Sequence, residues 1–326
     1  MTDPVDAPVT VVGAGIAGIS CARAVAAGGI DVRVLDRGRR PGGRMSSRSM
    51  HDRPVDLGAS YLTARAGTPF AAVVADWVDR GLARPWTATF AVAGPDGLRR
   101  TTTGPLRYGA PAGLRSLVED LATGLPVSSS VAVREVAPGP VVDGIPVPAV
   151  ALAMPGPQAA RLLDSASALA REAAAEQWRP VLAVVLGWSG RRWPADLHGA
   201  FVHDSPVLEW IADDGDRRGD GAPVLVAHTT PEVAARHLDD PDAAVPAVVD
   251  AVRSVLGIDA DPGWTAVHRW SFAKPAAPRE EQFGLVDGIG LCGDGWHAPS
   301  RVESAWASGA ALGRALAEAV RDQRPR

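Results

Sequence analysis

The sequence predicts an α/β chain, in which a Rossmann-like dinucleotide-binding domain is joined to an α+β domain built on an antiparallel sheet. Three observations carry this reading. The run "VTVV" (Val9 to Val12) leads directly into "GAGIAG", a helical stretch and then "DVRVLD", which is a β-α-β unit wrapped around GxGxxG spacing. A second glycine loop, "PGGR" (Pro41 to Arg44), follows at once. The middle of the chain then offers "VLAVVLGW", "VLEWIAD" and "APVLVAHTT", whose order lacks regular βαβ alternation and so suggests antiparallel strands with helices beside them.

Each part of the first unit has a physical reason. Val9 to Val12 are β-branched and suit a buried strand. Ile16, Ile19, Ala22, Val25 and Ala26 recur at helical spacing, and Gly28-Gly29 stops the helix. Gly13 permits a tight turn, Gly15 lets a pyrophosphate approach the backbone, and Gly18 allows helix and strand to pack closely. The free N–H groups of the helix start, at Ala14, Ile16 and Ala17, are the natural seat for phosphate. Asp36 stands 23 residues after Gly13, where a carboxylate accepts hydrogen bonds from a ribose 2′-hydroxyl. The motif therefore points to a cofactor containing ADP.

The second loop separates FAD from NAD. Gly42, Gly43 and Arg44 fall six to eight residues after Asp36. Paired glycines again allow close backbone approach, and Arg44 adds a fixed positive charge, as a long cofactor running past the first βαβ unit requires. The C-terminal "GIGLCGDGWHAPSRVESAWASGAALGRALAEAV" is a third element. Its short apolar strand ends at Gly293-Asp294, where a carboxylate can reach ribityl hydroxyls, and a helix begins near Val302 or Glu303 with its positive end available to the flavin N1–O2 edge.

Composition narrows the function classes. The chain has 326 residues, a formal net charge of −4 and no basic tail, which argues against nucleic acid and anionic membranes as partners. Its start has acidic residues and no basic leader, so the reading is a cytoplasmic protein. Cys21 and Cys292 have no ligand-like spacing and are expected as reduced core thiols. The seven histidines form no ligand pattern, so no metal is expected.

Taken together, "GAGIAG…DRGRRPGGRMSSR", "VDLGASYLTAR" (Val55 to Arg65) and "CGDGW…RVESAWASG" resemble the renalase-like FAD-dependent oxidoreductases, a branch of the flavin amine oxidase and glutathione-reductase-type superfamily. The segments "YGAPAGLRSLVEDLATGL", "LEWIADD" and "AHTTPE" fall in that family's order. The resemblance implies a GR2-type FAD domain from residues 1–65, 105–156 and 285–326, interleaved with a substrate domain from 66–104 and 157–284. It also implies non-covalent FAD, with contacts from Arg37, Met45, Gly58, Ala59, Ser60, the backbone at Val133, Pro155, Arg301, Val302 and Glu303. Where the family more often has His-Gly-Ala-Gln-Tyr-Phe, this chain has Leu57-Gly58-Ala59-Ser60-Tyr61-Leu62, which leaves the substrate open.

Candidates for the substrate side are aromatic. Ten tryptophans stand against two tyrosines and five phenylalanines. Trp210, Trp270 and Tyr61 are the candidates for stacking on a flat ring, with His297 and Trp296 in the loop before the terminal helix. No acid–base residue is assigned, and Lys274, the sole lysine, has an unusual setting for the lysine of amine oxidases. Hydride transfer from a dihydropyridine needs orientation and exclusion of water but removes no proton from carbon. The expected activity is oxidation of isomeric dihydronicotinamide dinucleotides, with O2 as final acceptor and H2O2 as product. The alternatives are an amine oxidase or desaturase and a flavin-binding partner protein without turnover. The segment "DDGDRRGDG" (Asp213 to Gly221) reads as a solvated hairpin loop.

Overall fold

Strand Val9–Val12 is buried along its whole length and lies inside a six-stranded sheet. The order is Gly284–Val286, Ile289–Leu291, Val150–Leu152, Val9–Val12, Val32–Asp36, Val127–Ser129. All neighbours are parallel except the first two, with Thr10 opposite both Val150 and Arg33. Both faces of such a sheet are covered, which is why its central strands read as continuous apolar runs. This is the computed structural model of the chain, and it describes residues 7–323.

Helix Ile16–Ala27 crosses between the first two strands of the motif, and the terminal helix Val302–Gln323 packs on it. The contact is backbone to backbone. A Cβ on Gly309 would stand 1.9 Å from the Ala17 carbonyl oxygen, and the Ser20 hydroxyl donates to the Trp306 carbonyl at 2.8 Å. Cys21 and Cys292 are buried and unbridged. Hydrogen bonding to Cys292, together with burial, pushes the Cys21 thiol well above its ordinary pKa.

The second sheet has seven strands in the order Trp264–Pro275, Trp178–Gly187, Val224–Thr229, Leu208–Asp213, Gly199–Val202, Arg84–Gly94, Gly97–Gly109. From Trp178–Gly187 onward the pairs are antiparallel, except that Gly199–Val202 runs parallel to Arg84–Gly94. Helix Val245–Leu256 packs Val248, Val252 and Val255 into the core of this unit.

Several local expectations change. The long hairpin Arg84–Gly94/Gly97–Gly109, closed over Pro95-Asp96, was not assigned from sequence, although "GPDG" between two β-rich runs is a turn signal. Of Pro126 to Val136, Val127–Ser129 is strand at the sheet edge, and Val136 opens the short strand Val136–Ala137 of a separate three-stranded sheet. "QAARLLDSASALAREAAA" is broken into helices Gly156–Ala159 and Ala168–Ala175, the second opened by a Ser167 cap. The segment read as a solvated hairpin is instead a helix, Asp214–Arg218, with Asp214, Arg217 and Arg218 buried. Its charges are paired inside the protein, a tertiary outcome that composition cannot signal.

Contacts divide the chain into two compact units. One runs to Met45, then Val118–Gln177 and from Lys274 onward; the other is Ser46–Leu117 and Trp178–Ala273. Relative to the division expected from sequence, residues 46–65 and 105–117 group with the second unit, and 157–177 and 274–284 with the first. Among the described residues no helix is long and apolar enough to cross a membrane.

Candidate functional site

In the first unit the two glycine loops meet. Gly42 N–H donates to the Ala14 carbonyl at 2.9 Å, and Gly15 and Gly42 form an isolated parallel bridge. A Cβ on Gly43 would stand 3.3 Å from the Gly15 Cα. Gly13 has φ +110°, and a Cβ there would lie 2.6 Å from the Ala153 carbonyl oxygen. At Gly18 the same atom would reach 1.8 Å from the Gly13 carbonyl oxygen. Any side chain at 13 or 18 displaces backbone, so both glycines are required by space, and Gly13 by its dihedral as well.

The helix that starts at Ile16 has Gly15 as its N-cap, with no side-chain cap bond and no acidic residue in its first turn. Its leading N–H groups therefore meet no capping side chain, which suits an anion. Asp36 has a second task beside the expected one. Its Oδ2 accepts from Ala14 N–H and its Oδ1 from Gly38 N–H, both at 2.5 Å, so the carboxylate ties the glycine turn to the end of its own strand, and the Ala14 N–H expected to be free for phosphate is already taken. Each carboxylate oxygen keeps further lone-pair capacity for a ribose hydroxyl.

Arg44 and Asp294, 250 residues apart, form a bidentate pair, and Ser300 Oγ donates to Asp294 Oδ2 at 2.6 Å. The sequence suggests Arg44 as a fixed positive charge beside a pyrophosphate. In the structure its guanidinium is held by Asp294, so the pair joins the second glycine loop to the Gly293 turn with little net charge. Gly293 N–H is taken by Ser308 Oγ of the terminal helix at 3.0 Å. That helix starts at Val302, as expected.

The remaining first-unit candidates sort by exposure. Arg37 and Arg301 are exposed, Val302 and Glu303 half-buried, and Pro155 is the half-buried N-cap of Gly156–Ala159. Met45 is buried in the short turn Gly43–Met45, and Val133 packs its side chain into the core with Val12 and Val136. Trp296, read as closing the site, lies in that same core with the Arg279 guanidinium 4.5 Å from its ring centre. The buried Nδ1 of His297 has no hydrogen-bond partner among the described residues.

The second unit holds Gly58, Ala59, Ser60 and Tyr61. Here the structure brings two expected residues together: Trp210 Nε1–H donates to Ser60 Oγ at 3.0 Å, and the rings of Tyr61 and Trp210 are 6.0 Å apart. Trp86, Phe90 and Phe201 complete the cluster, with Phe90 5.4 Å from Tyr61 and 4.7 Å from Trp210. The Arg107 guanidinium lies over it, 4.1 Å from the Phe90 ring centre and 5.8 Å from that of Tyr61. Trp270 sits elsewhere in the unit, packed on Val55 and Leu57, its indole N–H donating to the Leu57 carbonyl at 2.9 Å. His268 stacks edge-on to it at 4.5 Å, and burial, with Arg48 and Arg269 nearby, lowers the His268 pKa to about 4.

Behind Ser60 lies a buried ion network that sequence reading missed. Arg217 Nη1 donates to the Ser60 carbonyl at 2.8 Å and Arg217 pairs with Asp214. Arg218 Nη2 reaches Asp56 at 3.1 Å and Asp214 at 3.2 Å, while Arg53 bridges Asp214 at 2.6 Å and Asp220 at 2.8 Å. Asp56 Oδ1 further accepts from Ser47 Oγ and the Leu114 N–H. Burial alone would raise the Asp214 carboxyl, but the charges of Arg217, Arg218 and Arg53 outweigh it and hold the pKa at about 2. The network seats the Gly58–Ala59–Ser60–Tyr61 segment. Among the described residues no group of three or more His, Cys, Asp and Glu is placed to hold a metal ion.

The comparisons with known proteins agree with this geometry. A profile described as a NAD(P)-binding Rossmann-like domain matches residues 11–77, and one described as flavin containing amine oxidoreductase matches 82–312. The second covers most of the chain, so the protein belongs to the flavin-containing amine oxidoreductase family and is a FAD-dependent oxidoreductase. Solved structures share the fold over nearly the whole length. Wild-type putrescine oxidase bound to putrescine has a TM-score of 0.75 at 14% identity, covering 97% of this chain and 99% of its own. Cyclohexylamine oxidase from Brevibacterium oxydans IH-35A has a TM-score of 0.76 at 14% identity, covering 96% and 99%. At such identity the likeness speaks for the fold alone. Hydroxyneurosporene desaturase of Rubrivivax gelatinosus is 46% identical over 57 residues, which is 18% of this chain and only 11% of that protein.

Proposed function

We propose that the protein is a renalase-like oxidase that takes hydride from isomeric dihydronicotinamide dinucleotides, the 2- and 6-dihydro forms of NAD or NADP. The observation that carries the reading is the Tyr61–Trp210–Phe90 cluster with the Arg107 guanidinium 4.1 Å from the Phe90 ring centre, while the carboxylate at its rim, Asp216, already accepts from the Trp86 indole N–H at 2.6 Å and lies 2.6 Å from His198 Nδ1. An aliphatic amine reaches a site as a cation, which a guanidinium repels; a dinucleotide is an anion with a flat ring. The sequence segments "LGASYLTAR" and "RVESAWASG" support the same branch.

In this reading the first unit is the FAD domain. Gly13, Gly15, Gly18 and Gly43 leave the room, the Ile16–Ala27 N-terminus offers N–H groups to the pyrophosphate, and Asp36 takes a ribose hydroxyl. The Arg44–Asp294 pair and the start of Val302–Gln323 serve the flavin end. Bound FAD supplies the hydride acceptor, and O2 takes up the two electrons with protons to give H2O2. The chain's own part is positional. Arg217 fixes the Ser60 carbonyl, Ser60 fixes the Trp210 indole, and Tyr61 and Trp210 align a planar ring while keeping water away. No side chain is asked to remove a proton.

The test is anaerobic mixing of the yellow holoenzyme with each dihydronicotinamide isomer and with an amine panel. The isomers should bleach the flavin rapidly, and Trp210→Ala should slow this by at least ten-fold. Rapid bleaching by an amine with none by the isomers would establish the second reading, an amine oxidase or desaturase. That reading draws on the names of the neighbours, putrescine oxidase and cyclohexylamine oxidase, and on the short desaturase match.

A further inference from the structure

One charged group in the second unit is out of balance. Arg107 is 6% exposed, and its Nε and Nη1 are buried with no hydrogen-bond partner among the described residues. Every other deeply buried arginine of this unit is matched: Arg217 and Arg218 share Asp56 and Asp214. No ion pair to Arg107 exists among the described residues. Its one compensating contact is the Phe90 face at 4.1 Å, with Tyr61 at 5.8 Å. A cation–π contact offsets only part of what burying a charge without a counter-ion costs. Guanidinium does not shed its proton to escape this.

The backbone shows that the placement is built. Along the hairpin Thr87 faces Arg107 while Thr89 faces Thr103, so three residues on one strand, 104–106, are set against a single residue on the other. This bulge flips the strand: Pro105 and Leu106 are exposed and Arg107 turns inward. Gly104 leaves the space, since a Cβ there would lie 2.8 Å from Arg107 Nη2. On the other strand Thr87 Oγ1 holds its own kink by bonding the Thr89 backbone N–H and carbonyl at 3.0 Å.

We propose that Arg107 is the anchor for an oxyanion of the substrate, a carboxylate or a phosphate, while the rings of Tyr61, Phe90 and Trp210 take the flat part of the same molecule. The proposal rests on the reading of this cluster as the substrate wall, and not on the nicotinamide ring. Arg107 makes no covalent or redox step; it binds and orients.

The experiment is calorimetric titration of the FAD-loaded protein with benzoate, phenyl phosphate and the neutral isostere benzamide, on wild type, Arg107→Lys and Arg107→Gln. At least one anion should bind at least ten-fold more tightly than benzamide. Arg107→Gln should weaken that anion by at least ten-fold while leaving benzamide unchanged, with Arg107→Lys between. The ratio of benzoate to phenyl phosphate tells a carboxylate substrate from a phosphorylated one. The unfolding temperature of Arg107→Gln should hold or rise, because an uncompensated charge is removed; a purely structural arginine would give a fall. Equal binding of anion and neutral probe by wild type, no binding of any probe, or an unchanged anion affinity in Arg107→Gln would each overturn the proposal. None of these readouts uses turnover, so a failure of the dihydronicotinamide assay leaves them standing, and the wild-type comparison holds even if a variant does not fold.

Discussion

The two units solve opposite problems with opposite means. The cradle of the first unit is made of backbone: Gly13, Gly15, Gly18 and Gly43 contribute absence of side chain, and its one conspicuous cation, Arg44, is occupied by Asp294. The aromatic cluster of the second unit, which we propose as the substrate wall, is made of side chains held by other side chains, from the Asp56/Asp214/Arg217/Arg218 network through Ser60 to Trp210. A cofactor common to a family is held by features that tolerate no variation in shape. A substrate is met by groups whose identity can change while the support behind them stays.

That contrast can be broken at its strongest point first. Gly18→Ala drives a methyl group to 1.8 Å from the Gly13 carbonyl oxygen, where neither partner can move without unmaking the turn. The expected outcome is protein without bound FAD, read from its absorbance, or no folded protein at all. Gly43→Ala, with 3.3 Å to Gly15, should retain flavin but bind it less tightly.

The next largest effect lies in the buried network. Asp214→Ala strands Arg217 and Arg218 and should cost about 3–5 kcal/mol, measured by denaturant unfolding. The same group sets an acid limit. Its folded pKa, about 2, lies below the ordinary 3.8, so its contribution is fully present above about pH 4 and is lost as pH falls through 2. The difference corresponds to about 2 kcal/mol. Acid unfolding of Asp214→Asn should lose the steep dependence between those limits.

A smaller effect separates support from contact. Ser60→Ala leaves the Trp210 indole N–H without its acceptor in a buried site, a loss of about 1–3 kcal/mol. It should shift the tryptophan fluorescence. Smallest is His268. Its pKa, lowered to about 4, means that the unfolded chain binds a proton more readily between pH 4 and 6.5, so stability rises with pH across that window. His268→Gln should flatten the melting temperature there; an unchanged slope would show that another group titrates.

Legibility followed the same division. The GxGxxG turn, Asp36 and the terminal helix start at Val302 are local, each fixed by dihedral or spacing within a few residues, and could be read along the chain. So could the pairing of strands "VLAVVLGW", "VLEWIAD" and "APVLVAHTT" as an antiparallel set. Trp210 and Tyr61 were found by residue type, but their meeting through Ser60 was not legible, being a contact across 150 residues. Arg107 gave no signal at all: within "TTTGPLRYG" it looks like an exposed strand arginine, and only the bulge at 104–106 turns it inward.

The sequence by itself determined the cofactor fold, because steric permission at glycine and the alternation of apolar residues act over a few bonds. Tertiary structure alone decided which charges are paired. "DDGDRRGDG" and Arg107 are both polar stretches to the eye, yet the first is neutralised inside the protein and the second is left without a counter-ion. Electrostatic balance depends on distance in space and on burial, and neither is written in the order of the residues.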